Sequence, residues 1–265
     1  MSATGYRETE SSVTAAYKVE ILSILARYRF LTSRQIWEKS GLLAGKSYSQ
    51  TRVELARLKK MRLVRSLTVE NEKGRASPHQ WVLSPAGAKL AGLPTCPNYG
   101  GSRHPSRLRI RQQAMLLELE EQVTLAGAGW RLVLPATGRL KPDPAEQYHR
   151  LVAALNFREY RETGKWPANP YGPHTLGIPL RSSDYLAYSQ PGGEFAVVLI
   201  LCPQGSGRKF VGSRIEKYRA ITGRVPVVML FSEERLSRLH RSLLVKHGLL
   251  ALEIKLLADF LVSIF

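Results

Sequence analysis

The sequence predicts an α+β protein in which three helices and a β-hairpin precede a mixed-sheet α/β domain. Apolar residues between Val13 and Tyr28 recur at three- and four-residue steps, which predicts an amphipathic helix. Residues 47–84 contain an Arg- and Lys-rich helical run, followed by two strand-like runs that a basic, Gly-containing tip joins. Residues 107–265 alternate between helical and strand-like patterns, which is typical of a mixed sheet flanked by helices.

The elements of the first ninety residues follow from caps, periodicity and turn residues. Thr32 is suited to cap a short second helix with Ile36 and Trp37 buried, and Gly41 ends that helix. Helices are predicted over 13–28, 33–39, 46–61 and 86–91, and strands over 63–70 and 79–84. This order is that of a winged helix-turn-helix, which we predict for residues 1–92.

The second half is separated from the first by residues 93–106, which are dense in Gly, Pro and Ser and are predicted to be a linker. Helices are predicted over 107–125, 145–161, 209–222 and 233–247, and strands over 130–135, 178–188, 195–201, 225–231 and 249–254. The domain predicted for residues 107–265 therefore has a mixed sheet with helices around it.

The charge of the chain favours a polyanionic partner. The chain has 39 Lys and Arg residues against 21 Asp and Glu, and its formal net charge is +18. Both halves are basic, and cationic side chains gain affinity for nucleic acid by releasing its condensed counterions. A Lys-rich amphipathic helix of the kind that lies on membranes is not recognisable. The two cysteines have neither zinc-binding nor disulfide-framework spacing, and no signal peptide is recognisable, so a cytoplasmic protein is expected.

The third predicted helix carries the candidate DNA-contacting residues. Leu55 and Leu58 mark its inward side, on which Tyr48 and Thr51 also fall. The N-terminal part of a recognition helix meets base edges in the major groove, and cations further along suit phosphates. The candidates are Lys46, Ser47, Ser49, Gln50, Arg52, Arg57, Lys60 and Arg62 on or beside the helix, and Lys73, Arg75 and His79 around the hairpin tip. A merely solvated helix face, or a winged helix that binds another protein, would give a similar pattern.

A family resemblance is carried by ILSILARYRFLTSRQIWEKSGL, SYSQTRVELARLKKMRLVRSL and HQWVLSPAGAKLAG. These runs resemble the N-terminal winged helix of the replication-relaxation family, although Met61 and Arg62 stand where Gly is more usual. The resemblance implies a double-stranded DNA-binding accessory protein of a bacterial plasmid or mobile element, acting in replication, mobilisation or their transcriptional control. Its expected partners are duplex DNA, replication or mobilisation proteins, and a second copy in a dimer, for which the apolar residues 256–265 could supply an interface.

The order of elements in the second half resembles the PD-(D/E)xK nuclease fold, also called restriction-endonuclease-like. Active members hold Mg²⁺ with strand carboxylates and pair them with a lysine. If this domain were a nuclease, Asp184, Glu194 and Lys209 would be its catalytic residues, with Glu118 and Glu121 as further acids. The run FAVVLILCP lacks the expected acid and lysine, so we interpret the domain as degenerate and the protein as non-enzymatic. No metal site or cofactor is expected, and Mg²⁺ would enter only with the nuclease alternative.

Overall fold

The computed structural model is a mixed α and β protein with two sheets. It describes residues 3–43, 45–67, 79–93, 107–127, 129–133, 150–151, 160–165, 184–189, 195–219 and 225–264. These residues fall into two compact units, one holding residues 3–93 and the other residues 107–264. Most of the predicted linker lies outside the described residues, so the boundaries at 92 and 107 stay predictions.

The first unit holds four helices and three strands. They are α1 (Ala3–Tyr28), β1 (Phe30–Thr32), α2 (Ser33–Lys39), α3 (Tyr48–Lys60), β2 (Val64–Leu67), β3 (Gln80–Leu83) and α4 (Pro85–Leu90). The predicted helices all exist, but α1 begins ten residues earlier than predicted. The expected cap of α2 is confirmed, because the Thr32 hydroxyl accepts from the Gln35 amide and the Gln35 side chain accepts from the Thr32 amide.

The sheet of this unit is antiparallel with the order β1-β3-β2. Phe30 pairs with Val82 of β3, and Val64 of β2 pairs with Leu83. Strand β1 was not predicted, because three residues are too few to show an alternating pattern. The helices pack over this sheet through buried aliphatic and aromatic side chains, namely Ile21, Leu25, Phe30, Ile36, Leu55, Leu58 and Val82.

The second unit is built on a five-stranded sheet. Its elements are α5 (Arg107–Leu125), β4 (Trp130–Leu132), β5 (Asp184–Ser189), β6 (Ala196–Cys202), α6 (Arg208–Tyr218), β7 (Val227–Phe231), α7 (Glu234–Lys246), β8 (Leu249–Glu253), a 3₁₀ turn (Ile254–Leu256) and α8 (Leu257–Ser263). Its strand order is β4-β5-β6-β7-β8, antiparallel from β4 to β6 and parallel from β6 to β8, so the predicted mixed sheet is confirmed. Every residue of β5, β6 and β7 is buried, which is typical of strands covered on both faces.

One predicted helix of this unit is described in part, and its C-terminal segment forms a helix that was not predicted. The helix predicted over 145–161 is described only at residues 150–151 and 160–163, which are helical. Residues 256–265 were predicted as a possible dimer interface; Leu257 and Leu261 of α8 are buried where that helix packs on α5, whereas Leu256 and Val262 are exposed. In the described part of the chain, no helix has both the length and the apolarity to cross a membrane.

Candidate nucleic-acid interface

An acidic side chain of α1 fixes the turn between α2 and α3. The Ser40 hydroxyl donates to Glu20 Oε2 at 2.5 Å, and the Leu42 amide donates to Glu20 Oε1 at 3.2 Å. The Leu43 amide in turn donates to Ser40 Oγ, and Ser40 is buried. Glu20 thus satisfies polar groups that neither helix can pair, and it sets where α3 begins.

The first turn of α3 is attached to α2 by an aromatic residue. Trp37 Nε1 donates to the Lys46 carbonyl at 3.0 Å, and the Tyr48 ring meets the Trp37 ring edge-on at a centroid distance of 6.4 Å. Tyr48 is 41% exposed, so its predicted place on the inward side is wrong. Ser47 is the N-cap residue, but its hydroxyl bonds to Ser49 Oγ at 2.7 Å and not to the helix backbone.

The outer side of α3 carries most of the predicted contact residues. Thr51, Leu55 and Leu58 are buried, as predicted. Gln50 is half-buried. The exposed candidates are Lys46, Ser47, Ser49, Arg52, Arg57, Lys60 and Arg62. The structure therefore places one run of polar and cationic side chains along α3 and the residues that flank it.

A carboxylate that the sequence analysis missed lies under this run. Glu54 is 4% exposed, and its Oε1 accepts from Gln50 Nε2 at 3.3 Å and from Arg57 Nη1 at 3.4 Å. Two residues predicted to contact DNA are thus oriented by an acid of their own helix. The i,i+4 and i,i+3 spacings to Glu54 were the signal that could have revealed it.

Helix α3 ends in a left-handed residue. Arg62 has φ +59°, a conformation that costs most L-residues about 1–2 kcal/mol. The Leu63 amide donates to the Leu58 carbonyl and the Arg62 amide to the Lys59 carbonyl, which is the Schellman arrangement of a helix end. Met61 and Arg62 stand where Gly is more usual in the family that the sequence resembles.

Helix α4 is docked onto this helix end. Ser84 Oγ donates to the Arg62 carbonyl at 2.6 Å and accepts from the Gly87 amide at 3.0 Å. The Ser84 amide donates to the Leu63 carbonyl at 2.9 Å. A Cβ at Gly87 would lie 2.0 Å from that carbonyl oxygen, so only Gly allows this approach. The end of α3, the start of β2 and the start of α4 are therefore held together by the Ser84 hydroxyl and by backbone groups.

The hairpin is described only at its base. Lys73 and Arg75 lie outside the described residues, and His79 is exposed immediately before β3. On β2, Arg65 is exposed and was not among the predicted residues. Lys59 Nζ of α3 donates to Ser66 Oγ of the same strand at 2.8 Å.

In the second unit, Asp184 lies in a buried polar cluster. Its Oδ2 accepts from Arg214 Nη1 at 3.1 Å, from Lys217 Nζ at 2.8 Å and from the Tyr218 hydroxyl at 2.5 Å. The Asp184 side chain is fully buried, and all three donors belong to α6. Asp184 thereby links the start of β5 to that helix.

The remaining nuclease candidates are not brought to this cluster. Lys209 is exposed near the start of α6, so the lysine that contacts Asp184 is Lys217 instead. Glu194 lies outside the described residues. Within the ranges that the structure describes, no group of three or more His, Cys, Asp and Glu side chains could hold a metal ion.

Two titratable groups of the second unit are perturbed by their surroundings. Burial raises the pKa of the Cys202 thiol, an effect that the positive charge of Arg214 opposes. Burial also raises the pKa of Glu118, and the neighbouring Glu121 carboxylate raises it further, whereas Lys255 lowers it. Neither group belongs to the unit that contains α3.

Comparison with known proteins gives one match. The family model described as replication-relaxation matches residues 22–168, which is more than half of the chain. No curated protein and no solved structure matches the chain. The matched range contains α3, its helix end and α4, whereas the Asp184 cluster lies beyond it.

Proposed function

The chain belongs to the replication-relaxation family, and we propose that it is a double-stranded DNA-binding accessory protein of a plasmid or mobile element. It acts in replication, mobilisation or their transcriptional control. Residues 3–93 form a winged helix in this proposal, with α3 as the recognition helix.

The observation that carries the proposal is the set of unneutralised cations on α3 and its C-terminal end. Lys46, Arg52, Lys60 and Arg62 are exposed, and none of them forms an ion pair with another described residue. Glu54, the acid within α3, is buried and binds Gln50 and Arg57. A polyanion can therefore reach these cations without first breaking protein ion pairs.

The two ends of α3 have different roles in this proposal. Ser47, Ser49 and Gln50 can donate to and accept from base edges, and they occupy the start of the helix, which enters the major groove in helix-turn-helix proteins. Lys60 and Arg62 lie at the other end and suit phosphates. Glu54 is a positioning residue, because it orients the Gln50 amide and the Arg57 guanidinium rather than contacting DNA itself.

We propose no enzymatic activity for the second unit. In the described structure Asp184 is committed to Arg214 and Lys217, and a metal ion would have to displace these two cations from a fully buried carboxylate. The unit adds contacts to the DNA backbone or mediates self-association. Arg208 and Lys209 on α6 are exposed, which suits the first of these roles.

The test is a titration of a random-sequence duplex of about 20 base pairs with the full chain, between about 50 and 200 mM salt. Binding should weaken steeply as the salt concentration rises. Lys60→Gln should weaken binding at low salt and reduce the salt slope by about 1, since one phosphate contact is lost. Lys18→Gln on α1 is the matched control, because it removes the same charge away from α3, and it should leave the slope unchanged.

Three results would contradict the proposal. Absence of binding to any duplex would favour a protein-interaction winged helix. Equal effects of Lys60→Gln and Lys18→Gln would show that binding does not use α3. Plasmid cleavage by the unmodified chain that requires Mg²⁺ would favour the nuclease alternative.

A further inference from the structure

A groove opens beside the C-terminal end of α3, away from the start of that helix. Its volume is about 670 Å³, and its walls are α3, β2 and the first residues of α4. The groove thus lies where the Ser84 hydroxyl and the close approach of Gly87 to Leu63 hold these three elements together. Because these contacts fix its walls, the groove is preformed.

The walls are cationic. Lys59, Arg62 and Arg65 line the groove, together with the hydroxyl-bearing Ser66 and Ser84. None of the described residues that line it is acidic, and in the described part of the chain neither Arg62 nor Arg65 forms an ion pair. Three cations around one concave surface attract an anion more strongly than three separate surface charges do.

The floor of the groove is apolar. Val64, Pro85 and Ala86 complete its lining, and of these Pro85 and Ala86 are exposed whereas Val64 is buried. A free inorganic anion gains nothing from such a floor. A sugar-phosphate chain uses both features, because its phosphates pair with cations while the deoxyribose carbons cover apolar side chains.

We propose that this groove binds one strand of the DNA backbone beside the segment that α3 enters. The inference rests on the proposed function and extends it: Arg65 and Ser66 of β2, together with Lys59, form a backbone-binding site separate from the base-reading start of α3. Arg62, proposed above as a phosphate contact at the end of α3, also lines the groove. The site fixes the position of the protein on the duplex and contributes affinity that does not depend on sequence.

The decisive variant places a negative charge on the floor. Ala86 is exposed at the second position of α4, where an acidic side chain is favourable for the helix, so Ala86→Glu should fold normally. Ala86→Gln is the matched control with the same size and no charge. With the random-sequence duplex at low salt, Ala86→Glu should bind at least about tenfold more weakly than Ala86→Gln, because the carboxylate repels phosphates.

A second pair of variants tests the walls. Arg65→Gln and Lys59→Gln should each reduce the salt slope by about 1 and weaken binding equally for all duplex sequences. Thermal unfolding of each variant shows that it is folded before its binding is measured. Lys18→Gln again provides the matched loss of charge outside the groove.

The outcomes separate this inference from the proposed function. If the unmodified chain binds no duplex, the proposed function fails. If it binds duplex, and Ala86→Glu binds as tightly as Ala86→Gln, the groove inference alone is overturned. The groove inference is also overturned if deoxythymidine monophosphate binds the unmodified chain but not Ala86→Glu, while these two proteins bind the duplex with the same affinity. The groove would then hold a free nucleotide.

Discussion

Arg62 serves two incompatible demands at one position. Its backbone occupies the left-handed region that favours Gly, while its side chain adds a cation to the end of α3. Retention of an arginine there costs stability that Gly would recover. The local strain is therefore consistent with a binding role, since a purely structural helix end would be better served by Gly.

Replacement of Arg62 by Gly should separate these demands. Arg62→Gly should raise the free energy of unfolding by about 1 kcal/mol, because the left-handed strain is relieved. The same variant should weaken duplex binding, because a cation is lost. Arg62→Ala is the matched control: it removes the same charge without relieving the strain, so binding should weaken with no gain in stability. Urea unfolding and the duplex titration measure the two effects.

A loss of stability in Arg62→Gly relative to the unmodified chain would show that the arginine side chain stabilises the helix end more than its backbone strains it. Unchanged duplex binding in both variants would remove Arg62 from the proposed interface.

Side-chain roles were predicted from the sequence only where polarity and burial agree. Thr51, Leu55 and Leu58 were placed correctly on the inward side of α3. Glu20 and Glu54 were missed, because a periodicity argument assigns acids to solvent, whereas both accept hydrogen bonds from neighbouring polar groups. Tyr48 was misplaced for a related reason: its partner, Trp37, was predicted to be buried but is only half-buried.

At the scale of elements, the turn between α2 and α3 depends on Glu20. This carboxylate accepts from the Ser40 hydroxyl and from the Leu42 amide, and hydrogen bonds to charged groups contribute about 1.5–3 kcal/mol each. Since α3 starts directly after this turn, an error in the turn changes the direction in which the helix presents its outer side.

Glu20→Gln should lower the free energy of unfolding by about 1–2 kcal/mol, because an uncharged amide oxygen accepts more weakly and its NH₂ group cannot accept. Duplex affinity should fall as well, although Glu20 lies on α1. Glu38→Gln is the matched control, since Glu38 pairs with the exposed Arg34, and it should change stability by less than about 0.5 kcal/mol.

Equal stability of the two variants, measured by urea unfolding, would show that the turn keeps its shape without the charge on Glu20. A rise in duplex affinity in Glu20→Gln would mean that the negative charge of Glu20 repels DNA, and that its role in the turn does not determine binding.

Elements that a cap or sustained periodicity marks were predicted well, and elements that tertiary contacts define were not. The bounds of α2 and α5 were predicted correctly, because caps or sustained periodicity mark them. Strand β1 and helix α8 were missed, since each is defined by tertiary contacts: β1 by pairing with β3, and α8 by packing on α5. The cationic groove was equally beyond prediction, because its walls come from three elements that are adjacent only in the folded unit.

Across the whole molecule, the positive charge and the evidence for function are distributed differently. The excess of cations is spread over both units, whereas the observation that carries the function lies in the first. The second unit has its own core of fully buried strands, and Asp184 is the acid that balances two cations within it. Asp184 should therefore contribute to the stability of the second unit and not to catalysis.

Asp184→Asn should lower the stability of the second unit by about 3–5 kcal/mol, because Arg214 and Lys217 lose their buried counter-charge. Hydrogen exchange followed by mass spectrometry should show faster amide exchange in β5, β6 and α6. Exchange in α3 and β3 should stay as in the unmodified chain, because the first unit has its own core. Asp259→Asn, at an exposed position of α8, is the matched control and should change neither region.

Duplex binding distinguishes the two views of Asp184. If this residue only stabilises the second unit, Asp184→Asn should retain the steep salt dependence that α3 and the groove produce, at temperatures where the second unit remains folded. Faster exchange in α3 as well as in β5 would show that the two units unfold together. Unchanged amide exchange around β5 would mean that Arg214 and Lys217 stay buried without their counter-charge at no cost in stability. Asp184 would then not be needed to stabilise the second unit.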